Sequence, residues 1–136
     1  MASPRVFISF DFDNNKIEKD FFVGQSKNSR TPFTIQDWSS KKHLPQKEWE
    51  DLINSKINMC NILIVLVSKS TYTASGVEKE IAFAKENNAP VFGVYVNGAN
   101  MFTPLPNGLM RSRTISWTWD NVAKWIEQCM KEGKNI

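Results

Sequence analysis

Glu80 is the side chain with the clearest chemical potential, because of what stands before it. An apolar run, Ile62 to Val67, gives way to Ser68-Lys69-Ser70-Thr71-Tyr72-Thr73-Ala74-Ser75, and then to a helical pattern bearing Glu78 and Glu80. In α/β folds the carboxyl edge of a buried parallel strand borders the crevice where sites are built. Ser75 and Glu78 have the spacing of a capping box, which gives Glu78 a structural task. Glu80 has no such task. Val77, Ile81 and Ala84 follow i, i+4, i+7 spacing and mark the buried face. With about 3.6 residues per turn, Glu80 falls on the flank of that face, partly inward, while Lys79 and Lys85 point to solvent.

One inward carboxylate among hydroxyls and aromatic rings suits a particular kind of bond breaking. Cleaving ribose from nicotinamide in NAD expels a neutral amine from a cationic pyridinium, so the leaving group needs no general acid. Ordinary glycoside hydrolysis loses an alkoxide and normally uses two carboxylates. A single carboxylate can hold the ribose hydroxyls and stabilise the oxocarbenium-like charge. The other candidates for substrate contact are Ser9, Phe10 and Asp11 after the first strand, Asp37 and Trp38 after the second, and Ser68 and Tyr72 after the third. Phe10 or Trp38 could stack on nicotinamide or adenine. Each also has a structural alternative: aspartates at strand ends cap turns, Ser68 closes a turn, and Phe10 and Tyr72 pack. The remaining tryptophans, Trp49, Trp117, Trp119 and Trp125, read as packing residues.

The elements that must position these groups alternate along the chain. Val6 to Phe10 forms a strand, and Asn14 to about Val23 a helix with Ile17, Phe21 and Phe22 on one side. Pro32 to Asp37 is a weaker strand at an edge. Pro45 suits a helix start, and Trp49, Leu52, Ile53 and Ile57 keep helical spacing after it. The continuously apolar Ile62 to Val67 is the pattern of a strand covered on both faces. A helix from about Gly76 to Asn87, a strand from Pro90 to Val96, a loop from Asn97 to Met110 and a short strand, Thr114 to Ser116, complete the series. A last helix carries Val122, Trp125, Ile126, Cys129 and Met130 on one face. This alternation predicts an α/β flavodoxin-like three-layer sandwich around a five-stranded parallel sheet of order 2-1-3-4-5. The first and third strands are then central, and their carboxyl ends define the crevice. The segments Trp38 to Leu44 and Asn97 to Met110 are candidate walls.

Composition excludes several other functions. At 136 residues the chain is the size of one domain, residues 1–136, with 41% hydrophobic and 23% charged residues. A net charge of +3, with only Lys41-Lys42 clustered, argues against a nucleic-acid partner. No apolar run reaches bilayer length and no signal segment opens the chain, so the expected compartment is the cytoplasm, with no membrane association. Cys60 and Cys129 lack metal or redox spacing. His43, the one histidine, sits in a polar loop, which argues against a catalytic triad or a metal site. A phosphoacceptor receiver domain is excluded because Ser68 stands where its acceptor Asp is needed. Phe10-Asp11-Phe12-Asp13 is too bulky and acidic for a flavin phosphate loop, and neither a GxGxxG nor a Walker motif is present.

Val6-Phe7-Ile8-Ser9-Phe10, Trp49-Glu50 and the series Ser68…Tyr72…Ser75-Gly76-Val77-Glu78-Lys79-Glu80-Ile81 resemble, in that order, the Toll/interleukin receptor (TIR) superfamily. The closer likeness is to the compact bacterial TIR-like family of Thoeris anti-phage defence, and it runs from Arg5 to the last helix. Gly76 stands where that family often has Trp, and Asp11 where many relatives have His or another polar residue. The resemblance implies that Glu80 is the catalytic glutamate of an enzyme that consumes NAD as substrate, with no other cofactor. It further implies a cyclic ADP-ribose isomer or related product that diffuses to a separate effector, and self-association on activation. Two alternatives stay open: a non-catalytic TIR-like interaction module, and a nucleoside deoxyribosyltransferase-like enzyme.

Overall fold

The computed structural model describes residues 3–28, 33–40 and 44–133. Strand β3 (Ile62–Val67) is buried along its whole length, as six consecutive apolar side chains require. It is the centre of a parallel sheet with β1 (Arg5–Ser9), β2 (Thr34–Trp38), β4 (Val91–Tyr95) and β5 (Thr114–Ile115), in the order β2-β1-β3-β4-β5. The expected α/β architecture and strand order are those observed. Alternate strand residues feed two separate cores. Val6, Ile8, Ile62, Ile64, Leu66 and Phe92 face α1 (Lys16–Asn28) and α4 (Trp119–Glu132). Phe7, Leu63, Val65 and Val67 face α2 (Gln46–Asn58) and α3 (Ser75–Glu86). Among the described residues, no helix is long and apolar enough to cross a membrane.

Helix α1 departs from its expected bounds and its expected face. It runs to Asn28, and Phe22 is its only large apolar side chain in the core, while Ile17 and Phe21 are 69% and 60% exposed. The buried line is instead Asn15, Lys19, Phe22 and Ser26, spaced at helical periodicity but mostly polar. Phe22 sets this rotation by packing on Trp117 and Trp119, with ring centroids 5.4 and 5.1 Å away. Lys19 is buried, its ammonium 4.6 Å from the centroid of the Trp38 ring and 2.6 Å from Asp20.

Strand β2 pairs only with β1, at the edge, and begins at Thr34; Pro32, the expected start, lies outside the described residues. Its register with β1 shifts between Val6 and Phe7. The loop from Asn97 to Met110 packs against α3, with Leu109 in the same core as Ile81 and Ala84. Lys85 donates to the Gly108 carbonyl at 2.6 Å, and Gly108, with φ at +93°, lets the chain pass so close to Ile81 that a Cβ would sit 2.9 Å from it. At the far edge Arg113 makes two bonds to Glu132, of 2.8 and 2.6 Å, and stacks on Trp125 at 4.9 Å. Beside it the buried Cys129 thiol is pushed up to about 12, chiefly by desolvation, so this cysteine is a packing group.

Candidate active site

Helix α3 starts after a single 3-10 turn, Thr71–Thr73, at the carboxyl end of β3. The expected capping box does not form. The turn leaves Ala74 extended in the N-cap position, so Ser75 is already the first helical residue, and no side chain caps the helix. Glu78 instead accepts a long bond, 3.4 Å, from Asn107. Val77, Ile81 and Ala84 face the sheet as their spacing predicts.

Glu80 is more deeply placed than a helix flank suggests, at 1% exposure. The ends of β1 and β2 cover that flank. Ser9 donates its hydroxyl to Oε1 at 2.7 Å, and Ser39 donates to the same oxygen at 2.5 Å. Oε2 is buried and has no hydrogen-bond partner. Ser39 is fixed from both sides: its N–H donates to the Ile8 carbonyl at 2.9 Å, and its hydroxyl accepts from the Phe10 N–H at 3.1 Å. Burial pushes the Glu80 carboxyl up to about 7; the two serine hydroxyls oppose that rise, Asp37 adds to it and Lys56 opposes it.

A cavity of about 470 Å³ borders Glu80. Phe10, Asp11, Ser39, Trp49, Gly76 and Glu80 are among the residues that line it. The buried Asp11 organises the loop between β1 and α1, accepting from Asn14 at 2.8 Å, from the Asp13 N–H at 3.2 Å and from Ser70 at 2.6 Å. Across the cavity Trp49 lies over the start of α3, where a Cβ on Gly76 would sit 3.7 Å from the Trp49 ring. A Cβ there would make only ordinary van der Waals contact with the indole. The Trp49 N–H is also buried without an acceptor. Leaving such a group unpaired costs roughly 1–3 kcal/mol. Among the described residues the two buried side-chain polar atoms without partners, Glu80 Oε2 and Trp49 Nε1, belong to residues lining one cavity.

The residues expected from sequence divide into two groups. Glu80, Phe10 and Asp11 line the cavity, and Ser9 holds the glutamate from beneath. Asp37, Trp38, Ser68 and Tyr72 are not among the lining residues. Asp37 pairs with Lys56 at 3.5 Å and accepts from the Trp38 N–H at 2.9 Å. Trp38 stays on the edge strand against Lys19. Ser68 ties the end of β3 to the start of α1, donating to Asn15 at 2.6 Å. Tyr72 is half exposed on its 3-10 turn. Of the expected walls, Ser39 and Ser40 line the cavity, whereas no residue of the loop from Asn97 to Met110 does. Lys41, Lys42 and His43 lie outside the described residues.

Two site residues were not singled out from sequence, although Ser39 lies within the expected wall Trp38 to Leu44. Trp49 fits a packing stripe and is buried accordingly, yet it also forms a cavity wall. Ser39 follows β2 immediately, and the pairing of Ile8 with Trp38 brings it beside the end of β1.

A family model described as Thoeris protein ThsB, TIR-like domain, matches residues 7–101, a span that includes Ser9, Ser39 and Glu80. A search of curated proteins finds no match. Among solved structures, the CMP N-glycosidase BcmB of Clostridium botulinum is similar at 13% sequence identity, over 91% of this chain and 98% of that chain, with a TM-score of 0.48.

Proposed function

Because the chain belongs to the TIR-like domain family of the Thoeris protein ThsB, we propose that it breaks the bond between nicotinamide and ribose in NAD, with Glu80 as its catalytic group. The observation that carries this reading is the buried Glu80 carboxyl beside the cavity, one oxygen held by two hydroxyls and the other without a partner. Ionised Glu80 accepts hydrogen bonds from the ribose hydroxyls through Oε2. As the C–N bond breaks, its electron pair moves to the pyridinium nitrogen, giving neutral nicotinamide. The positive charge left on the ribose is stabilised by a carboxylate that burial keeps out of bulk water. Phe10 and Trp49 supply aromatic walls for the planar base.

The oxocarbenium is captured by water or by a nucleophile of the same molecule, depending on how well the cavity excludes solvent. Capture within the molecule gives a cyclic ADP-ribose isomer or a related conjugate. In this reading residues 1–136 act as one TIR-like domain in the cytoplasm, NAD is substrate and no further cofactor takes part. The product diffuses to a separate effector of anti-phage defence, and self-association accompanies activation. Mass spectrometry of the purified protein incubated with NAD tests the proposal. The expected result is free nicotinamide with a product at the mass of cyclic ADP-ribose; linear ADP-ribose would mean that water wins the capture. NAD left intact while deoxynucleosides exchange their bases would overturn it in favour of a deoxyribosyltransferase.

A further inference from the structure

We infer that Ser39 is a positioning residue, which with Ser9 pins Oε1 of Glu80 against the ends of β1 and β2 and thereby commits Oε2 to the substrate. The geometry stands on its own, while its consequence for turnover rests on the reading of Glu80 as the catalytic carboxylate. The Ser39 hydroxyl accepts from the Phe10 N–H, which turns its own proton toward Glu80. Ser9 brings a second proton to the same oxygen from the neighbouring strand. An oxygen facing two donors is a poor place for a further proton, so the carboxyl takes up its proton on Oε2. On the proposed reading that is the atom that accepts from the ribose hydroxyls, and protonation there removes the negative charge that makes it an acceptor.

Other charged groups surround this arrangement. Asp37 on β2 and Lys56 on α2 act on Glu80 in opposite senses and pair with one another. Asp11 and Asp13 on the loop after β1 line the cavity, as does Lys79 on α3, which pairs with Glu50 of α2 at 3.4 Å. None of them touches Oε1, whose hydrogen-bond partners are the two serines. The serines therefore act on the ionised form at contact distance. Removing either hydroxyl favours the neutral carboxyl.

The test is a carbon-13 NMR titration of the glutamate side chains in the free protein, with the Glu80 signal assigned by its loss in Glu80→Gln. In the native chain Glu80 titrates near pH 7. In Ser39→Ala, and separately in Ser9→Ala, the midpoint rises by about one pH unit. In Ser68→Ala, which removes a buried hydroxyl from the same rim that does not bond Glu80, it stays in place. The acid limb of nicotinamide release from NAD moves upward with the midpoint in both serine variants. Either folded serine variant suffices, and a folded variant with an unmoved Glu80 midpoint overturns the inference. A moved midpoint in a chain that leaves NAD intact keeps the inference and removes the substrate reading. An unmoved midpoint in a chain that turns NAD over does the reverse.

Discussion

Glu80→Gln is expected to melt at a higher temperature than the native protein at pH 8, by roughly 10 °C, and to lose that advantage at pH 5. The carboxyl has an ordinary value of 4.5 in the unfolded chain and about 7 in the fold, raised chiefly by burial. Between those two values the unfolded chain has released the proton that the folded chain retains. Stability therefore falls as pH rises from about 4.5 to 7. The loss is complete above pH 7 and amounts to about 3 kcal/mol. Gln keeps an oxygen for Ser9 and Ser39 and carries no charge, so it removes this pH-dependent cost. Its amide N–H2 in the place of Oε2 adds a penalty that is the same at every pH. The difference between pH 8 and pH 5 is thus the decisive quantity, read by thermal or urea denaturation of the two proteins side by side. A difference that does not change with pH would mean that no charge is forced into this site.

Nicotinamide release from NAD by the native protein is expected to rise about tenfold per pH unit on the acid side and to level off above pH 7. At pH 5 the rate would be about one hundredth of the plateau. The direction follows from the role. In the proposed function Glu80 works ionised, holding ribose hydroxyls and facing a growing positive charge, and its proton would occupy the oxygen that does both. The pyridinium charge is permanent, so the leaving group adds no titration of its own. A general acid would give the opposite limb, with activity falling above pH 7. The same conflict links both predictions: burial makes the carboxylate costly to the fold and strong toward a cation.

Much of the scaffold was legible because it rests on long apolar runs. Ile62–Val67 could only be a strand covered on both faces, and the alternation of strands and amphipathic helices led to the sheet order. Helix α1 was misread because Ile17 and Phe21 share a face with no partner, while the rotation is set by Trp117 and Trp119, about a hundred residues further on. The capping box failed through local geometry: the 3-10 turn places Ala74, and not Ser75, at the start of α3.

Glu80 could be located from its helix, but its depth could not, because the covering groups come from β1 and β2. Ser39 fell within an expected wall, but its bond to Glu80 was illegible for the same reason. Its place depends on the register of β2 with β1, and the shift between Val6 and Phe7 is not readable from a short, half-polar edge strand. Trp38 drew attention as an aromatic at a strand end, yet an edge strand offered Lys19 as its neighbour and not the cavity. Trp49 carried the opposite lesson, since a residue can keep its helix stripe and still wall a site.

The most direct test of the central claim is to incubate NAD at pH 8 with equal amounts of the folded native protein and folded Glu80→Gln, and to count nicotinamide. Steady release by the native chain, reduced at least about a thousandfold in the variant, is the predicted result. Equal release by the two proteins would contradict the assignment of Glu80 as the group that breaks the bond.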